Sequence, residues 1–241
     1  MKVERGSGVA LWRQIEQTLA ADIASKAIAE RLPNEIELAG RFNVNRHTIR
    51  RAVQALEARG LVRIEQGRGT FVQEDLIDYR LGRKSRFSHS LDHQQRQGIS
   101  QIQSSATTIP RDEVCELLAI PAGTAVLQID ALDVVETRVI GVCTQYFPLP
   151  RFAGLDAHYA ATGRIADALP AFGITEVNRK LSRVTARMPR PQTAQLLAQP
   201  KTQPILYVEN VYVDAAGVPI EYGITRFAAD AVQLLIEPET A

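Results

Sequence analysis

One stretch of this chain occurs twice, and that repetition limits the possible folds more than any other feature. "PRDEVCELLAIPAGTAVLQI" at 110–129 aligns with "PRPQTAQLLAQPKTQPILYV" at 189–208 at a constant offset of 79. Pro110 pairs with Pro189, Arg111 with Arg190, Leu117 and Leu118 with Leu196 and Leu197, Ala119 with Ala198, Pro121 with Pro200 and Leu127 with Leu206. Each copy reads as helix, turn, long strand, hairpin, strand. The strands are Val126 to Val135 with Val139 to Phe147, then Ile205 to Asp214 with Val218 to Phe227. Two copies are too few for a solenoid. The expectation is an antiparallel sheet with paired helices about a pseudo-twofold axis, with a ligand pocket between the halves.

That sheet accounts only for the C-terminal part of 241 residues, a length that suits two domains. Ahead of it, Leu11, Ile15, Leu19, Ile23 and Ala27 recur every four positions and predict an amphipathic helix from Val9 to Ala27. After the breaker at Leu32-Pro33, Asn34 is placed to cap a second short helix bearing Ile36, Leu38, Ala39 and Phe42. Asn45 is placed to cap a third, whose apolar face is Ile49, Ala52, Val53 and Leu56 and which stops at Gly60. Two short strands follow, Leu61 to Glu65 and Thr70 to Gln73, around a loop with two glycines flanking Arg68. Three helices and a basic hairpin make a winged helix-turn-helix.

The net charge of +1 is uninformative, but its distribution is not. Residues 41–70 hold Arg41, Arg46, Arg50, Arg51, Arg59, Arg63 and Arg68 against Glu57 and Glu65. The start of the third helix gathers Asn45, Arg46, His47, Thr48, Arg50 and Arg51. Backbone NH groups there favour phosphate, while Arg, Asn, Thr and His side chains reach base edges. Double-stranded DNA is the expected partner of this domain, residues 1–74.

Residues 32–72, "LPNEIELAGRFNVNRHTIRRAVQALEARGLVRIEQGRGTFV", resemble the winged-helix domain of the GntR family of bacterial transcription regulators throughout. By position, the resemblance implies DNA contacts from Arg46, Thr48 and Arg50, and a minor-groove wing made of Gln66, Gly67, Arg68 and Gly69. Ile36 stands where some members have a DNA-contacting arginine. The link "SKAIAERLP" lacks the usual Gly and Pro-Pro-Gly.

Residues 75–98 are polar and read as a linker running into a short helix capped by Ser88 or Ser90. Beside Arg86, such a helix start is a candidate anion site. His89 and His93 are four apart, but no third ligand accompanies them and no metal is expected. In the third part, residues 99–241, alternation places Arg179, Arg183 and Arg187 on one strand face. It places Glu221, Gly223, Thr225 and Phe227 opposite Ile220, Tyr222 and Ile224.

"RFSHSL", "QYFP" and "PIEYGITR" make this part resemble the effector domain (UTRA) of the HutC subfamily, which has a chorismate-lyase type of fold. "FNVNRHTIRRA" paired with "RKSRFSHSL" is more similar to its PhnF-type phosphonate-utilisation repressors than to sugar-responsive members. Sugar-phosphate sensors of the subfamily use two arginines on the first long strand; here those places fall near Ala131 and Asp133. The remaining candidates for holding an effector are Arg86, Ser88, Tyr146, Arg164, Arg183 and Glu221.

The fold class expected is therefore α+β: a winged helix-turn-helix followed by an antiparallel-sheet effector domain with an internal pseudo-twofold repeat. The resemblance implies a homodimeric repressor that binds a palindromic operator and responds to a small anionic effector such as a phosphonate or phosphate ester. A regulator sensing a non-phosphorylated metabolite is the alternative, and a lyase-like enzyme tethered to DNA a third. Residues 99–241 hold no nucleophile and base pair, no paired catalytic carboxylates and no metal set, with His158 the only histidine, so no enzyme and no cofactor are expected. Two cysteines, Cys115 and Cys143, make no disulfide framework, and no apolar run is long enough to span a bilayer. A cytoplasmic protein without a membrane partner is the expectation.

Overall fold

The computed structural model describes residues 10–72 and 76–236. The chain divides into two compact units, Met1–Asp75 and Leu76–Ala241. Among the described residues, no helix is long and apolar enough to cross a membrane.

The first unit contains α1 (Leu11–Ala24), α2 (Glu35–Phe42), α3 (Arg46–Ala58), β1 (Val62–Glu65) and β2 (Gly69–Val72). Val9 and Gln73, expected within elements, lie outside the described residues. The first helix stops short of Ala27 because the chain turns at Lys26, whose φ is 58°. Asn34 Oδ1 accepts from the backbone NH of Ile36 and Glu37, and Glu37 returns a carboxylate to the Asn34 NH at 3.0 Å. This reciprocal cap satisfies donors that a helix start leaves unpaired. Asn45 caps α3 in the same way, accepting from Thr48 NH at 2.9 Å. Gly60, with φ +71°, turns the chain toward β1. Ile15, Leu19, Leu38, Ile49, Ala52 and Leu56 form the core, where truncating one of the larger side chains to Ala costs about 2–5 kcal/mol.

The sequence did not foretell the tie between the wing and the loop after α1. Leu32 NH donates to Thr70 O, and Val72 NH to Glu30 O, both at 2.9 Å. Residues 30–32 thus run antiparallel beside β2 through an isolated bridge between Arg31 and Phe71.

The second unit begins with β3 (Ile77–Arg80) and α4 (Phe87–His93), and then forms a sheet from β4 (Gly98–Thr108), β5 (Val126–Val135), β6 (Arg138–Pro148), β7 (Val177–Arg187), β8 (Ile205–Asp214) and β9 (Pro219–Ala228). Helices α5 (Asp112–Leu118), α6 (Leu155–Thr162), α7 (Ile165–Ala168) and α8 (Pro191–Leu196) join these strands, and β10 (Val232–Leu235) ends the unit. The strand order is β4-β5-β6-β9-β8-β7. A pseudo-twofold axis between β6 and β9 carries the first half onto the second. The repeat extends beyond the matched sequence. Strands β4 and β7 obey the same offset, as do the left-handed residues Ala119 and Ala198 and the register breaks at Asp133/Val134 and Tyr212/Val213.

Four expectations need correction here. Residues 77–80 are not linker: β3 pairs in parallel with β10, and Ile77 and Tyr79 are buried with Phe227 and Val232, while the short helix expected to follow is α4. Neither Ser88 nor Ser90 caps α4. Arg86 holds the cap position without a side-chain capping bond to the helix, and Ser90 Oγ instead accepts from the Arg80 NH at 3.1 Å, fixing α4 to β3. The three arginines of β7 do not share a face, because a bulge between Arg179 and Leu181 reverses the parity. Arg179 sits opposite Tyr212, whereas Arg183 sits opposite Glu209 on the other side of the sheet. Likewise Ile220 is the residue skipped at the register break between β8 and β9, and it packs with Tyr212 and Leu127 rather than with Tyr222.

Candidate nucleic-acid interface and ligand cavity

In the first unit, the Asn45 cap leaves the opening turn of α3 solvent-facing, with Arg46 and His47 exposed. The other candidates are partly committed within the protein. Asn45 Oδ1 also accepts from Thr48 Oγ1 at 2.9 Å, so the amide NH2 is the end of Asn45 left for a partner. Arg50 grips Glu35 with Nε at 3.0 Å and Nη2 at 2.9 Å, and the guanidinium holds the Glu35 carboxyl below its ordinary value. Arg51 lies over the Trp12 ring at 4.7 Å from its centroid. Ile36 is 60% exposed beside Glu35.

The wing presents Gln66, Gly67 and Arg68 to solvent. Arg68 reaches Glu65 at 2.6 Å, and so does Arg63 at 2.5 Å, so one carboxylate organises two basic side chains. Gly69 has φ +123°, and a Cβ there would stand 2.6 Å from the Arg31 guanidinium, which rests on the Phe71 ring. Only glycine meets both demands without strain.

In the second unit, a cavity of about 80 Å³ opens on the face of the sheet where β6 and β9 meet, roofed by α4 and flanked by Arg164 and Tyr159. Four expected residues line it: Arg86, Ser88, Arg164 and Glu221. The alternation of β9 places Glu221, Gly223, Thr225 and Phe227 there together, as its pattern implied. Two expected residues lie elsewhere. Tyr146 stacks on Tyr222 on the opposite face, because Gln145 and Cys143 take the cavity side of β6. Arg183 is half-exposed on that same far face, 3.6 Å from Glu209.

The buried chemistry of the cavity centres on Arg86, which is 6% exposed. Its Nη1 donates to Glu221 Oε2 at 2.8 Å and its guanidinium lies over the Tyr212 ring at 4.1 Å. Burial opposes the charge on Arg86, but the adjacent Glu221 carboxylate outweighs it and keeps the guanidinium protonated. Gln145 Nε2 donates to the other Glu221 oxygen at 2.8 Å. Four buried atoms lining the cavity still lack partners: Arg86 Nε and Nη2, Ser88 Oγ and Gln145 Oε1. Buried polar groups are normally satisfied, so convergent orphans mark a place where another molecule supplies the partner.

The sequence reading missed Asp133, Ser100, Cys143 and Gln145. Ser100 Oγ donates to Asp133 Oδ1 at 2.6 Å and the Cys143 thiol to Oδ2 at 3.0 Å. Burial pushes the Asp133 carboxyl up, and burial beside that carboxylate pushes the Cys143 thiol well up, so the thiol stays protonated. A network below them joins Arg179 to the Tyr79 and Tyr212 hydroxyls at 2.7 and 3.2 Å, and so joins β3 to the sheet.

Residues 11–72 match the bacterial regulatory proteins of the gntR family, and residues 93–233 match the UTRA domain. An uncharacterized HTH-type transcriptional regulator of Rhizobium meliloti (strain 1021), RB1450, is 35% identical over 238 residues, covering 98% of each chain. The "Probable transcriptional regulator PhnF" of Escherichia coli (strain K12) is 30% identical over 211 residues, covering 86% of each. The crystal structure of PhnF from Mycobacterium smegmatis shares the fold at a TM-score of 0.66 and 20% identity, covering 94% of this chain and 100% of that one. The chain belongs to the GntR family of bacterial transcriptional regulators, as a HutC-type member with a UTRA domain, and is a DNA-binding regulator rather than an enzyme.

Proposed function

We propose that the protein is a homodimeric repressor that releases a palindromic operator when a small anionic effector, a phosphonate or phosphate ester, occupies the cavity of its second unit. In this reading Asn45, Arg46, His47, Thr48, Arg50 and Arg51 meet the major groove and Gln66, Gly67, Arg68 and Gly69 the minor groove. Residues 1–74 are then the DNA-binding domain and residues 99–241 the effector domain. The observation that carries the effector half is the buried Arg86, whose Nε and Nη2 have no partner, beside the equally unpartnered Ser88 Oγ. Likeness to relatives named PhnF supports the choice of ligand class.

Two recognition helices need half-sites about one helical turn apart, roughly 34–36 Å, so tight binding requires a dimer. An effector acts only if it prefers one conformation over another. The first elements after residues 73–75 are β3 and α4, and both contribute to the cavity lining through Tyr79 and through Arg86, Ser88 and Leu91. An occupant that draws on Arg86 therefore acts on the stretch of chain nearest, in sequence, to the DNA-binding unit.

A gel-shift titration with DNA from upstream of the protein's own gene tests both halves. The expected outcome is a sequence-specific shift, reversed by at least one phosphonate or phosphate ester. Absence of a specific shift would remove the operator claim; a shift indifferent to every such compound would remove the effector claim. A second reading, a non-phosphorylated metabolite as effector, is favoured by the two carboxylates Asp133 and Glu221 in the lining, which disfavour a dianion.

A further inference from the structure

The charges lining the cavity do not suit a simple anion. Each arginine there already has a carboxylate: Arg86 has Glu221, and Arg164 has Asp92 at 2.8 Å. Asp133 has no such partner. Its oxygens accept only from a hydroxyl and a thiol, and among the described residues no Lys, Arg or His pairs with it. The lining thus holds two arginines, Arg86 and Arg164, and two carboxylates, Glu221 and Asp133, of which Asp133 alone has no ion-pair partner, and a phosphate or alkylphosphonate by itself would leave it without one in a poorly solvated space.

The unpartnered atoms are of two kinds. Arg86 Nε and Nη2 are donors, as is Ser88 Oγ, and they call for an acceptor such as a carboxylate or phosphonate oxygen. Gln145 Oε1 is an acceptor without a donor, because its amide nitrogen is held by Glu221 and the oxygen is turned the other way. With Asp133 it forms an acceptor side of the same cavity. We propose that this cavity takes a small zwitterion, a molecule with one compact anionic group and an ammonium group joined by a short chain, the anion meeting Arg86 and Ser88 and the ammonium meeting Asp133 and Gln145. Amino acids and aminoalkylphosphonates are the two chemical forms of that class. The proposal rests on the cavity being the effector site and narrows what the effector is.

Calorimetric titration of the full-length protein with matched pairs tests it: 2-aminoethylphosphonate against ethylphosphonate, 3-aminopropylphosphonate against propylphosphonate, and β-alanine against propionate, with inorganic phosphate as a further probe. At least one amino compound is expected to bind more tightly than its des-amino partner, by about tenfold or more, and Asp133→Asn should bring that ratio close to one. Equal or tighter binding of every des-amino partner overturns the proposal, as does no binding by any amino compound. Gel shifts run with the same compounds separate the two readings. If ethylphosphonate or phosphate releases DNA and the amino group adds nothing, the zwitterion falls and the anionic effector stands. If a zwitterion binds with the expected preference but leaves the DNA complex intact, the ligand class stands and its regulatory role falls.

Discussion

Arg86 Nη1 and Glu221 Oε2 are 2.8 Å apart although 135 positions separate the two residues, and both side chains are buried. The pair joins the start of α4 to β9. Breaking it from one side strands a buried charge, so Glu221→Leu should destabilise the protein by about 3–5 kcal/mol. Replacing both partners with apolar residues, Arg86→Met with Glu221→Leu, should restore most of that stability while abolishing ligand binding. Urea unfolding of both variants checks this, and a double variant as unstable as the single one would refute it.

The grip of Arg50 on Glu35 restrains a cation on the surface expected to meet DNA. Glu35→Gln should tighten DNA binding and steepen the salt dependence of log K by about one phosphate contact, a slope change near 0.9. Because Arg50 holds the Glu35 carboxyl down, the pair persists at neutral pH and is lost only as pH falls through that lowered value. Fluorescence anisotropy across a salt series measures the slope; an unchanged slope would show that Arg50 does not reach phosphate.

Arg46 is exposed at the start of α3. If it bonds guanine in a bidentate way, Arg46→Ala should cost about 1–3 kcal/mol of operator affinity and relax the choice at one base pair of each half-site. Selection from randomised duplexes reads out both effects. An unchanged base preference would reassign Arg46 to the phosphates.

Asp133 titrates above the ordinary carboxylate range because burial penalises its ionised form. The folded state therefore holds this proton more tightly than the unfolded chain, and the penalty is complete above the raised value and absent below the ordinary one. Asp133→Asn should stabilise the protein at neutral pH, by on the order of 1 kcal/mol, with the advantage fading as the solution is acidified. Melting temperatures of the two proteins over a pH series test the sign.

Gly69 combines φ +123° with the close approach of Arg31. A side chain there meets backbone strain, worth about 1–3 kcal/mol, besides displacing a guanidinium from Phe71. Gly69→Ala should lower the stability of the wing and weaken DNA binding with little change in helix content by circular dichroism.

The parts of the fold legible in the sequence were those fixed by interactions a few residues long. Asn34 and Asn45 cap α2 and α3 through atoms two and three positions ahead, so the cap pattern places both helix starts. The 79-residue offset located four sheet strands because each copy solves the same local problem, helix to turn to hairpin, with the same residues.

Side-chain placement on the sheet was less legible. Arg86, Ser88, Arg164 and Glu221 reached one cavity, but Tyr146 and Arg183 did not. Both faces of β6 are covered by other elements, so its polar and apolar residues do not sort cleanly by side and the pattern cannot say whether Gln145 or Tyr146 faces in.

What the sequence determined by itself was the family, the three capped helices with their wing, and the doubled sheet motif. Tertiary structure alone decided which residues meet. One bulge in β7 sends Arg179 and Arg183 to opposite sides, the β3–β10 pairing absorbs an apparent linker, and Asp133 becomes a carboxylate without an ion-pair partner only once Ser100, Cys143 and the cavity close around it. The physical reason is one of range. Capping and helical periodicity are settled within a turn of chain, whereas strand parity flips with a single extra residue and the environment of a charge depends on neighbours brought from far along the chain.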